Sequence, residues 1–328
     1  MILTTERLIL RPFEESDAAS VYEYARDERV GPITGWPVHT SEENSRDIIR
    51  NVLAVPETYA VCLKEDNRAI GSISLMIGPL SHLCLPDTDA EIGYWLGVPF
   101  WGRGLIPEAL RELMRHAFAD LHLEALWCGY YEGNLKSRRV MEKCGFVPHH
   151  TNENVHLKLM DETRTEHLYR LSKQDWKRNF VMRRLKEDEI PAALDLAWQV
   201  FQEFESPDYG EEGTAEFRKC LNDPEYLADM EYYGTFDGSR LVGEIAIKPE
   251  RNHICFFFTE GKYHRLGIGR NLFGYLLEQN DAAVITLNSS PYGLPFYKAI
   301  GFIETDKEQT VHGITFTPMV YQRKKAEQ

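Results

Sequence analysis

Two short glycine-rich stretches could hold a phosphate group. One reads FWGRGLIPEALRELM over Phe100–Met114, and the other reads YHRLGIGRNLFGYLL over Tyr263–Leu277. Each follows an apolar run and precedes an apolar-periodic segment, so each predicts a strand, a glycine turn and the start of a helix. At such a turn, free backbone N–H groups and the helix dipole point at an anion, and glycine lets the backbone come close to it.

A tight connection without a ligand is the alternative interpretation of each turn when it is taken alone. Two other phosphate-binding patterns are absent. The dinucleotide fingerprint GxGxxG fails because Leu272 stands three residues after Gly269, and no Gly-Lys-Ser/Thr follows either turn. The turns therefore indicate a phosphate-bearing ligand without identifying it.

The predicted elements around the two turns occur twice along the chain. Each half follows the order β-α-α-β-β-β-α-β-α-β, with the glycine turn after the fourth strand. A Gly-Phe pair then closes the next short helix, at Gly145 and again at Gly301. We place the first domain at residues 1–172, a polar linker at 173–180 and the second domain at 181–328.

The composition argues against several function classes. The 328 residues carry a formal net charge of -14, whereas nonspecific binding of nucleic acid or of an anionic membrane needs a basic surface. No apolar run approaches the ~20 residues of a membrane span. The six cysteines contain no CxxC pair, which favours reduced thiols and a cytoplasmic location. His149 and His150 are adjacent and should point different ways, and no HxxxH pair occurs, so we expect no metal.

Together these motifs resemble the GNAT superfamily of acetyl-CoA-dependent N-acetyltransferases, whose pattern after the fourth strand is Gln/Arg-x-x-Gly-x-Gly/Ala. The second half has HRLGIG from His264 and the first has WGRGLI from Trp101. Both depart from the pattern at the first position, and the first half has Ile106 where Gly or Ala is usual. TTERLILRPF and NLKSRRVMEKCGF resemble the RimJ/RimL-type branch, whereas TLNSSPYGLPFYKAIGF resembles a general small-substrate GNAT domain. The resemblance covers nearly the whole chain.

This resemblance implies an α+β fold, with a mixed sheet flanked by helices in each domain, and acetyl-CoA as co-substrate. The glycine turns would hold its pyrophosphate, and a backbone N–H at about Leu96 and Thr259 would stabilise the developing oxyanion. The implied acetyl-CoA-binding residues of the first domain are Leu96, Gly102, Arg103, Gly104, Leu105, Ile106 and Asn134. Those of the second domain are Thr259, Arg265, Leu266, Gly267, Ile268, Gly269, Arg270 and Asn288.

The resemblance also implies proton donors. Tyr297 stands where a tyrosine of the family protonates the leaving sulfur, and a phenol with a pKa of about 10 keeps its proton at neutral pH; a core aromatic is the alternative. Counting back from the Gly-Phe pairs aligns Tyr297 with Met141, which cannot donate a proton. The candidates in the first domain are then Asn134 on the pantetheine arm and Ser137 on the sulfur side, with helix capping as an equally weighted alternative.

A general base is needed as well, because an amine with a lysine-like pKa is mostly protonated at neutral pH. Glu91 in EIGYWL and Glu244 in LVGEIAI are candidates, since both lie on strands beside the predicted cleft. An ordinary solvated strand residue is the alternative for each of them.

The predicted activity is acetyl transfer from acetyl-CoA to a primary amine. Phe201–Phe217 carries six acids and no base, and in this fold it borders the acceptor cleft, so we expect a cationic or polycationic acceptor. A solvated loop in an acidic protein is the alternative. A second hypothesis makes one domain, in the first instance the N-terminal one, a non-catalytic CoA-binding or regulatory unit. A third, a nucleotide-binding protein, would be distinguished by affinity for NAD or ATP instead of CoA.

Overall fold

Two sheets, one in each half of the chain, organise the fold. The structure, a computed structural model that describes residues 1–323, separates into a first unit, Met1–Asn179, and a second unit that begins at Phe180. Both units are α+β, and each has one mixed sheet with helices packed on it, as the sequence predicted. Within these residues no helix has the length and apolar character that a membrane crossing requires.

The first unit has an eight-stranded sheet with the order β1-β2-β3-β4-β5-β6-β8-β7. In chain order, β1 to β8 are Leu3–Thr4, Leu8–Arg11, Thr58–Leu63, Ala69–Ile77, Asp89–Leu96, Ala125–Tyr131, Val147–Leu157 and Glu162–Ser172. Strands β5 and β6 run parallel, and the other neighbouring pairs are antiparallel. The five helices are α1 Ala18–Ala25, α2 Glu42–Ile48, α3 Leu105–Arg115, α4 Leu135–Lys143 and α5 Lys173–Arg178.

Helix α3 packs by the stripe that its periodicity predicts. Leu105, Ala109 and Leu113 are buried, as is Ala117 in the π-helical turn that continues the helix. Residues spaced by four fall on one helix face, so burying this stripe fixes which face of α3 meets the sheet.

The stretch that the sequence suggests as a linker forms helix α5. Ser172 caps it by accepting a hydrogen bond from the backbone N–H of Asp175 at 3.1 Å. Trp176 is fully buried, with its ring centroid 5.1 Å from that of Phe118. Because burial of a tryptophan ranks among the larger single contributions to a core, α5 is a packed part of the first unit.

The expectation that His149 and His150 point different ways is wrong. Strand β7 has an irregularity between Pro148 and His150, which breaks the alternation of side chains. The two Nδ1 atoms lie 2.7 Å apart, and both rings pack on Trp127. A bulge places two successive residues opposite one partner residue, so both side chains can reach the same face.

The second unit has its strands in the order β14-β16-β13-β12-β11-β10-β9, with β15 paired to β16. Strands β9 to β16 are Val181–Arg184, Glu231–Asp237, Arg240–Lys248, His253–Thr259, Val284–Ser289, Ile303–Glu304, Gln309–Val311 and Ile314–Gln322. Its helices are α6 Ile190–Phe204, α7 Ser206–Cys220, α8 Pro224–Leu227, α9 Ile268–Gln279 and α10 Leu294–Ile300. Helix α7 is kinked at Gly210, whose φ is +64°.

In each unit the central parallel strands separate toward their carboxyl ends. Strand β5 is in register with β6 only from Asp89 to Ile92, and β12 with β13 only at His253 and Ile254. The remaining residues of β5 and β12 therefore border an opening, which we call the β5–β6 gap in the first unit and the β12–β13 gap in the second. Each glycine turn directly follows the strand, β5 or β12, that borders the gap of its unit.

Candidate active sites

Both glycine turns adopt the backbone conformation that glycine permits. Gly102 and Gly104 have φ of +76° and +75°, and Gly267 has φ of +87°. A Cβ added at Gly102 or Gly267 would meet no atom within 4 Å. The faces of the turns are thus open, and the first N–H groups of the following helices have no partner within their own helix. These turns fit the pyrophosphate of CoA as donors of backbone hydrogen bonds.

Several side chains of the predicted turns take no part in an anion site. Leu105, Ile106, Leu266 and Ile268 are buried in the core, so only their backbone atoms can face a ligand. The absence of a side chain at Gly269 leaves space for the ring of Phe296, because a Cβ at position 269 would lie 2.9 Å from Phe296 Cζ. Close packing between α9 and α10 therefore accounts for this glycine.

Cations that the sequence reading missed lie beside the first turn. Arg7 donates from Nη1 to the Arg103 carbonyl at 3.0 Å and from Nε to Glu108 at 2.7 Å. The Nζ of Lys136 sits 3.6 Å from the centroid of the Trp101 ring. No local sequence pattern predicts the contact of Arg7, because 96 residues separate it from Arg103. At the second turn, Arg270 donates to the carbonyl of Ala299 at 3.1 Å.

Trp101 and His264, which replace the usual Gln or Arg at the first motif position, make the same contact. Trp101 donates from Nε1 to the Leu96 carbonyl at 2.7 Å, and His264 Nε2 lies 2.8 Å from the Thr259 carbonyl. A ring N–H at this position therefore satisfies the last carbonyl of β5 in the first unit and of β12 in the second. The carbonyls point away from the antiparallel neighbour strand.

The pairing with the neighbouring strand also sets the direction in which the backbone N–H groups of Leu96 and Thr259 point. The next residues pair with the neighbouring strand, Gly97 N with the Ile70 carbonyl at 2.8 Å and Glu260 N with the Val242 carbonyl at 2.9 Å. Hydrogen-bonded pairs alternate along an antiparallel ladder, so the N–H of each preceding residue points to the opposite side. The two donors therefore face the β5–β6 gap and the β12–β13 gap.

Tyr297 lies on α10 with its ring 6.0 Å from that of Phe257 and 5.7 Å from that of Phe302. Burial raises the pKa of its phenol far above the usual value, and the nearby carboxyls of Glu205 and Glu244 raise it further. Tyr297 thus keeps its proton throughout the neutral range and can act as a donor.

Glu205 is a functional candidate that the sequence reading grouped with surface acids. Burial raises the pKa of its carboxyl to about 7, a hydrogen bond from Ser290 opposes this shift, and the charge of Asp208 adds to it. The side chains of Glu203, Asp208, Glu211 and Glu212, by contrast, are exposed. A carboxyl with a pKa near neutrality is suited to taking up and releasing protons. No local pattern distinguishes Glu205 from its acidic neighbours.

Glu244 is buried, and neither carboxyl oxygen has a hydrogen-bond partner among residues 1–323. Burial raises its pKa well above the ordinary value. The alternative of a solvated strand residue is therefore wrong for Glu244. Burial favours the neutral form of this carboxyl, so Glu244 is poorly suited to act as a general base.

Glu91 is likewise buried instead of solvated, and it already has partners. The Ser81 hydroxyl and the His82 N–H donate to its Oε2 at 2.8 and 3.1 Å. His82 also bridges two carboxylates, with Nδ1 2.8 Å from Glu91 and Nε2 3.2 Å from Glu166. Hydrogen bonds to Glu166 and Glu91 raise the pKa of His82 to about 10, so the three groups form an ion-paired cluster at neutral pH.

Asn134 and Ser137 make the contacts of a helix cap. The Asn134 side chain accepts the N–H of Ser137 at 3.3 Å at the start of α4. The carbonyl of Ser137 accepts a hydrogen bond from the Tyr94 hydroxyl at 3.1 Å. Met141 is fully buried. In the second unit, Asn288 is exposed on β13, away from the buried face of its strand.

No group of three or more His, Cys, Asp or Glu side chains with metal-binding geometry occurs within residues 1–323.

Comparison with known proteins places both halves of the chain in one family. The model of an acetyltransferase (GNAT) domain matches residues 7–147, and a second such model matches residues 205–323. YdaF of Bacillus subtilis (strain 168), named as an N-acetyltransferase, is 31% identical over 153 residues, which are 43% of this chain and 79% of YdaF. The N-acetyltransferase YnaD of the same organism is 28% identical over 145 residues, 44% of this chain and 82% of YnaD.

Among solved structures, a GNAT-family acetyltransferase from Bacillus anthracis matches with a TM-score of 0.47 and 24% identity, covering 53% of this chain and 99% of that one. The family models, the relatives and the two glycine turns lead to the same assignment. The chain belongs to the GNAT acetyltransferase family, carries two such domains in tandem and is an N-acetyltransferase.

Proposed function

We propose that each unit binds acetyl-CoA at its glycine turn and that the chain transfers the acetyl group to the primary amine of a cationic acceptor. The observation that carries this proposal is the set of groups at the β12–β13 gap. It combines an open glycine turn, the inward N–H of Thr259, the protonated phenol of Tyr297 and the carboxyl of Glu205 with a pKa of about 7.

Each of these groups has a distinct task in acetyl transfer. Bound acetyl-CoA supplies the thioester that the amine attacks. Glu205 removes a proton from the ammonium group so that its nitrogen can attack. The Thr259 N–H stabilises negative charge that develops on the carbonyl oxygen, and Tyr297 gives its proton to the departing sulfur. Glu205 replaces Glu244 as the base because burial without a hydrogen-bond partner disfavours the charged form that a Glu244 base would need.

The first unit has the same turn and the inward N–H of Leu96, with Gly102, Arg103 and Gly104 at the phosphate position. Arg7 joins this set through its contact with the Arg103 carbonyl. Ser137 and Asn134 stay the candidates of the sequence reading, although their visible contacts are those of a helix cap. Glu91 would serve as a base only if its ion pair with His82 were broken.

Exposed acids support a cationic acceptor for the second unit. Asp208, Glu211 and Glu212 are exposed on α7, which directly follows Glu205 in the chain. A field of carboxylates raises the local concentration of cations and the rate of their capture. An amine on a basic protein is one such acceptor, and the Escherichia coli relative that is 32% identical over 118 residues is named ribosomal-protein-serine acetyltransferase.

A second function fits the first unit, namely binding of acetyl-CoA without transfer. Met141 occupies the position of Tyr297 and cannot donate a proton. Under this alternative, the first unit would bind acetyl-CoA as tightly as the second and contribute nothing to turnover.

The proposal is tested by acetyl-CoA turnover of the full chain over a panel of amines. In a Gly104→Asp chain, where only the second glycine turn is intact, we expect Tyr297→Phe to lower kcat by roughly 10²–10⁴ with little change in acetyl-CoA affinity, because only a proton donor is removed. Tyr321→Phe, which removes a phenol from the same core cluster, should leave kcat unchanged. Turnover with none of the amines would refute the proposal, and an unchanged rate would remove Tyr297 from the mechanism.

A further inference from the structure

The two units place a phenol on opposite walls of equivalent gaps. Tyr94 and Phe257 each stand ten residues before the glycine that begins the following helix, Gly104 and Gly267. Met141 and Tyr297 each stand four residues before the glycine of the Gly-Phe pair. In the second unit the strand therefore carries Phe and the helix carries Tyr, whereas in the first unit the strand carries Tyr and the helix carries Met.

The contacts agree with this exchange. In the second unit, the rings of Phe257 on β12 and Tyr297 on α10 lie 6.0 Å apart. In the first unit, the Tyr94 hydroxyl on β5 reaches across to α4 and donates to the Ser137 carbonyl at 3.1 Å, while Met141 fills the core one turn further along α4. The phenol comes from the strand in one unit and from the helix in the other.

Tyr94 also lies in the separated part of its strand. Register with β6 ends at Ile92, so Tyr94 borders the β5–β6 gap, two residues before Leu96. Alternation along the strand gives Tyr94 and Leu96 side chains on the same face. Burial raises the pKa of the Tyr94 phenol well above its usual value, which keeps it protonated.

We infer that Tyr94 is the proton donor of the first unit, in the role that Tyr297 has in the second. This inference rests on the proposed acetyl transfer. As the nitrogen–carbon bond forms and the carbon–sulfur bond breaks, Tyr94 gives its proton to the sulfur that leaves. The amine nitrogen loses one proton to a base or to water, and solvent returns a proton to the Tyr94 oxygen, so the step balances without another reactant. Met141 then fills space, and the first unit is catalytic.

Binding of CoA, measured without turnover, tests the contact between the Tyr94 phenol and the sulfur. In a Gly267→Asp chain, where only the first glycine turn is intact, CoA and desulfo-CoA are titrated calorimetrically. A phenol beside the sulfur should make Tyr94→Phe weaken CoA binding by roughly three- to tenfold and leave desulfo-CoA binding unchanged. Equal effects on the two ligands, or none on either, would overturn the inference.

Turnover of the full chain gives the second test. In a Tyr297→Phe chain, the remaining turnover comes from the first unit, and Tyr94→Phe should lower its kcat by roughly 10²–10⁴ with the KM for acetyl-CoA unchanged. The matched control is Tyr169→Phe, on β8 of the same unit. No remaining turnover in Tyr297→Phe, or an unchanged kcat on adding Tyr94→Phe, would overturn the inference alone, whereas a wild-type chain without acetyl transfer would refute the proposed function as well.

Moving the phenol separates catalysis from structural support. Tyr94→Phe combined with Met141→Tyr gives the first unit the arrangement of the second, and Tyr297→Met combined with Phe257→Tyr does the reverse. We expect kcat of each double variant to exceed kcat of the single variant that lacks the phenol by about tenfold or more, because the phenol again reaches the gap. If Tyr94 and Tyr297 only supported the fold, the single variants would be less stable, their pH profiles would be unchanged, and the double variants would recover no activity.

Discussion

Three glutamates with the same intrinsic acidity have three different surroundings in this protein. Glu205 is half-buried beside the Ser290 hydroxyl, and desolvation raises the pKa of its carboxyl to about 7. Glu244 is buried without a partner among residues 1–323, and Glu91 is held by Ser81 and His82. Burial without a partner disfavours the charged form of a carboxyl, whereas an ion pair favours it. The surroundings of each residue therefore decide whether it is a base, a neutral acid or part of an ion pair.

The pH dependence of the second unit should report Glu205. A base must be deprotonated to act, so kcat/KM in a Gly104→Asp chain should fall as pH falls through about 7, the pKa of Glu205. Glu205→Gln should lower kcat/KM by roughly 10²–10⁴ and remove this limb of the profile. The exposed Glu203→Gln is the matched control and should keep both the rate and the limb. A limb that persists in Glu205→Gln would assign it to another group.

Glu244 should make stability depend on pH. Its folded-state pKa is raised above the unfolded value of 4.5, so its favourable contribution is complete below that value and declines as pH rises toward the folded pKa. The decline is about 1.4 kcal/mol for each pH unit in that window. Urea unfolding at several pH values should therefore show that the free energy of unfolding of Glu244→Gln increases relative to that of the wild type as pH rises above ~5. Exposed Glu250→Gln should show no such gain, and neither should Glu244→Gln if the carboxyl is solvated.

Each glycine turn combines a left-handed backbone, an open face and the positive end of a helix. The turns before α3 and α9 are thus equivalent elements, although only the second has glycine at both motif positions. Ile106 is buried in the core, so its side chain does not cover the first turn. Backbone N–H groups bind the anion at such a turn, so we expect the first turn to bind acetyl-CoA despite this substitution.

A carboxylate placed at a turn should block it. Gly104→Asp and Gly267→Asp should each remove one of two acetyl-CoA sites seen by isothermal titration, with a loss of about tenfold or more in affinity, because like charges at close range cost several kcal/mol. Gly104→Asn and Gly267→Asn share the shape and backbone strain of the Asp variants without the charge, and should lose much less. Equal losses for Asn and Asp would show that strain, and not charge, weakens binding.

The exposed acids of helix α7 should attract a cationic acceptor before it reaches the gap. Replacing Glu211 and Glu212 by Gln should lower kcat/KM for a polycationic amine by up to about tenfold at low salt. The loss should shrink as salt screens the field, over a Debye length of about 8 Å at physiological ionic strength. Glu250→Gln with Glu225→Gln is a control of equal charge. A salt-independent loss, or none at low salt, would mean that α7 does not recruit the acceptor.

At the scale of the whole molecule, two units of similar fold follow one another, and the first ends later than its sequence pattern suggests. The polar stretch after β8 is helix α5, with Trp176 buried against Phe118. A boundary between residues 179 and 180 leaves this helix in the first unit. The residues proposed for each gap belong to a single unit, so we expect two independent catalytic centres in one chain.

Truncation should expose the contribution of α5. A chain ending at residue 179 should unfold cooperatively in urea, and one ending at residue 172 should be less stable by about 3 kcal/mol or more, because a buried tryptophan is lost. Trp176→Ala in the chain ending at 179 should reproduce most of that loss. Equal stability of the two truncated chains would assign α5 to a linker after all.

Local chemistry allowed the sequence to determine much of the fold. The strand–turn–helix order around Gly104 and Gly267 depends on backbone preferences within a few residues, and so does the Asn134 cap. The buried stripe of α3 follows from helical periodicity. Such features are predictable because the residues that decide them are neighbours in the chain.

Contacts between distant residues were decided by the tertiary structure. Arg7 precedes β2 and meets the first turn although 96 residues separate it from Arg103. Glu205 differs from the exposed acids around it because its carboxyl is desolvated. The Tyr94 hydroxyl meets the Ser137 carbonyl across the gap although 43 residues separate them in the chain. Burial and long-range approach set the pKa and partner of a side chain, and neither is encoded in the residue types of a short segment.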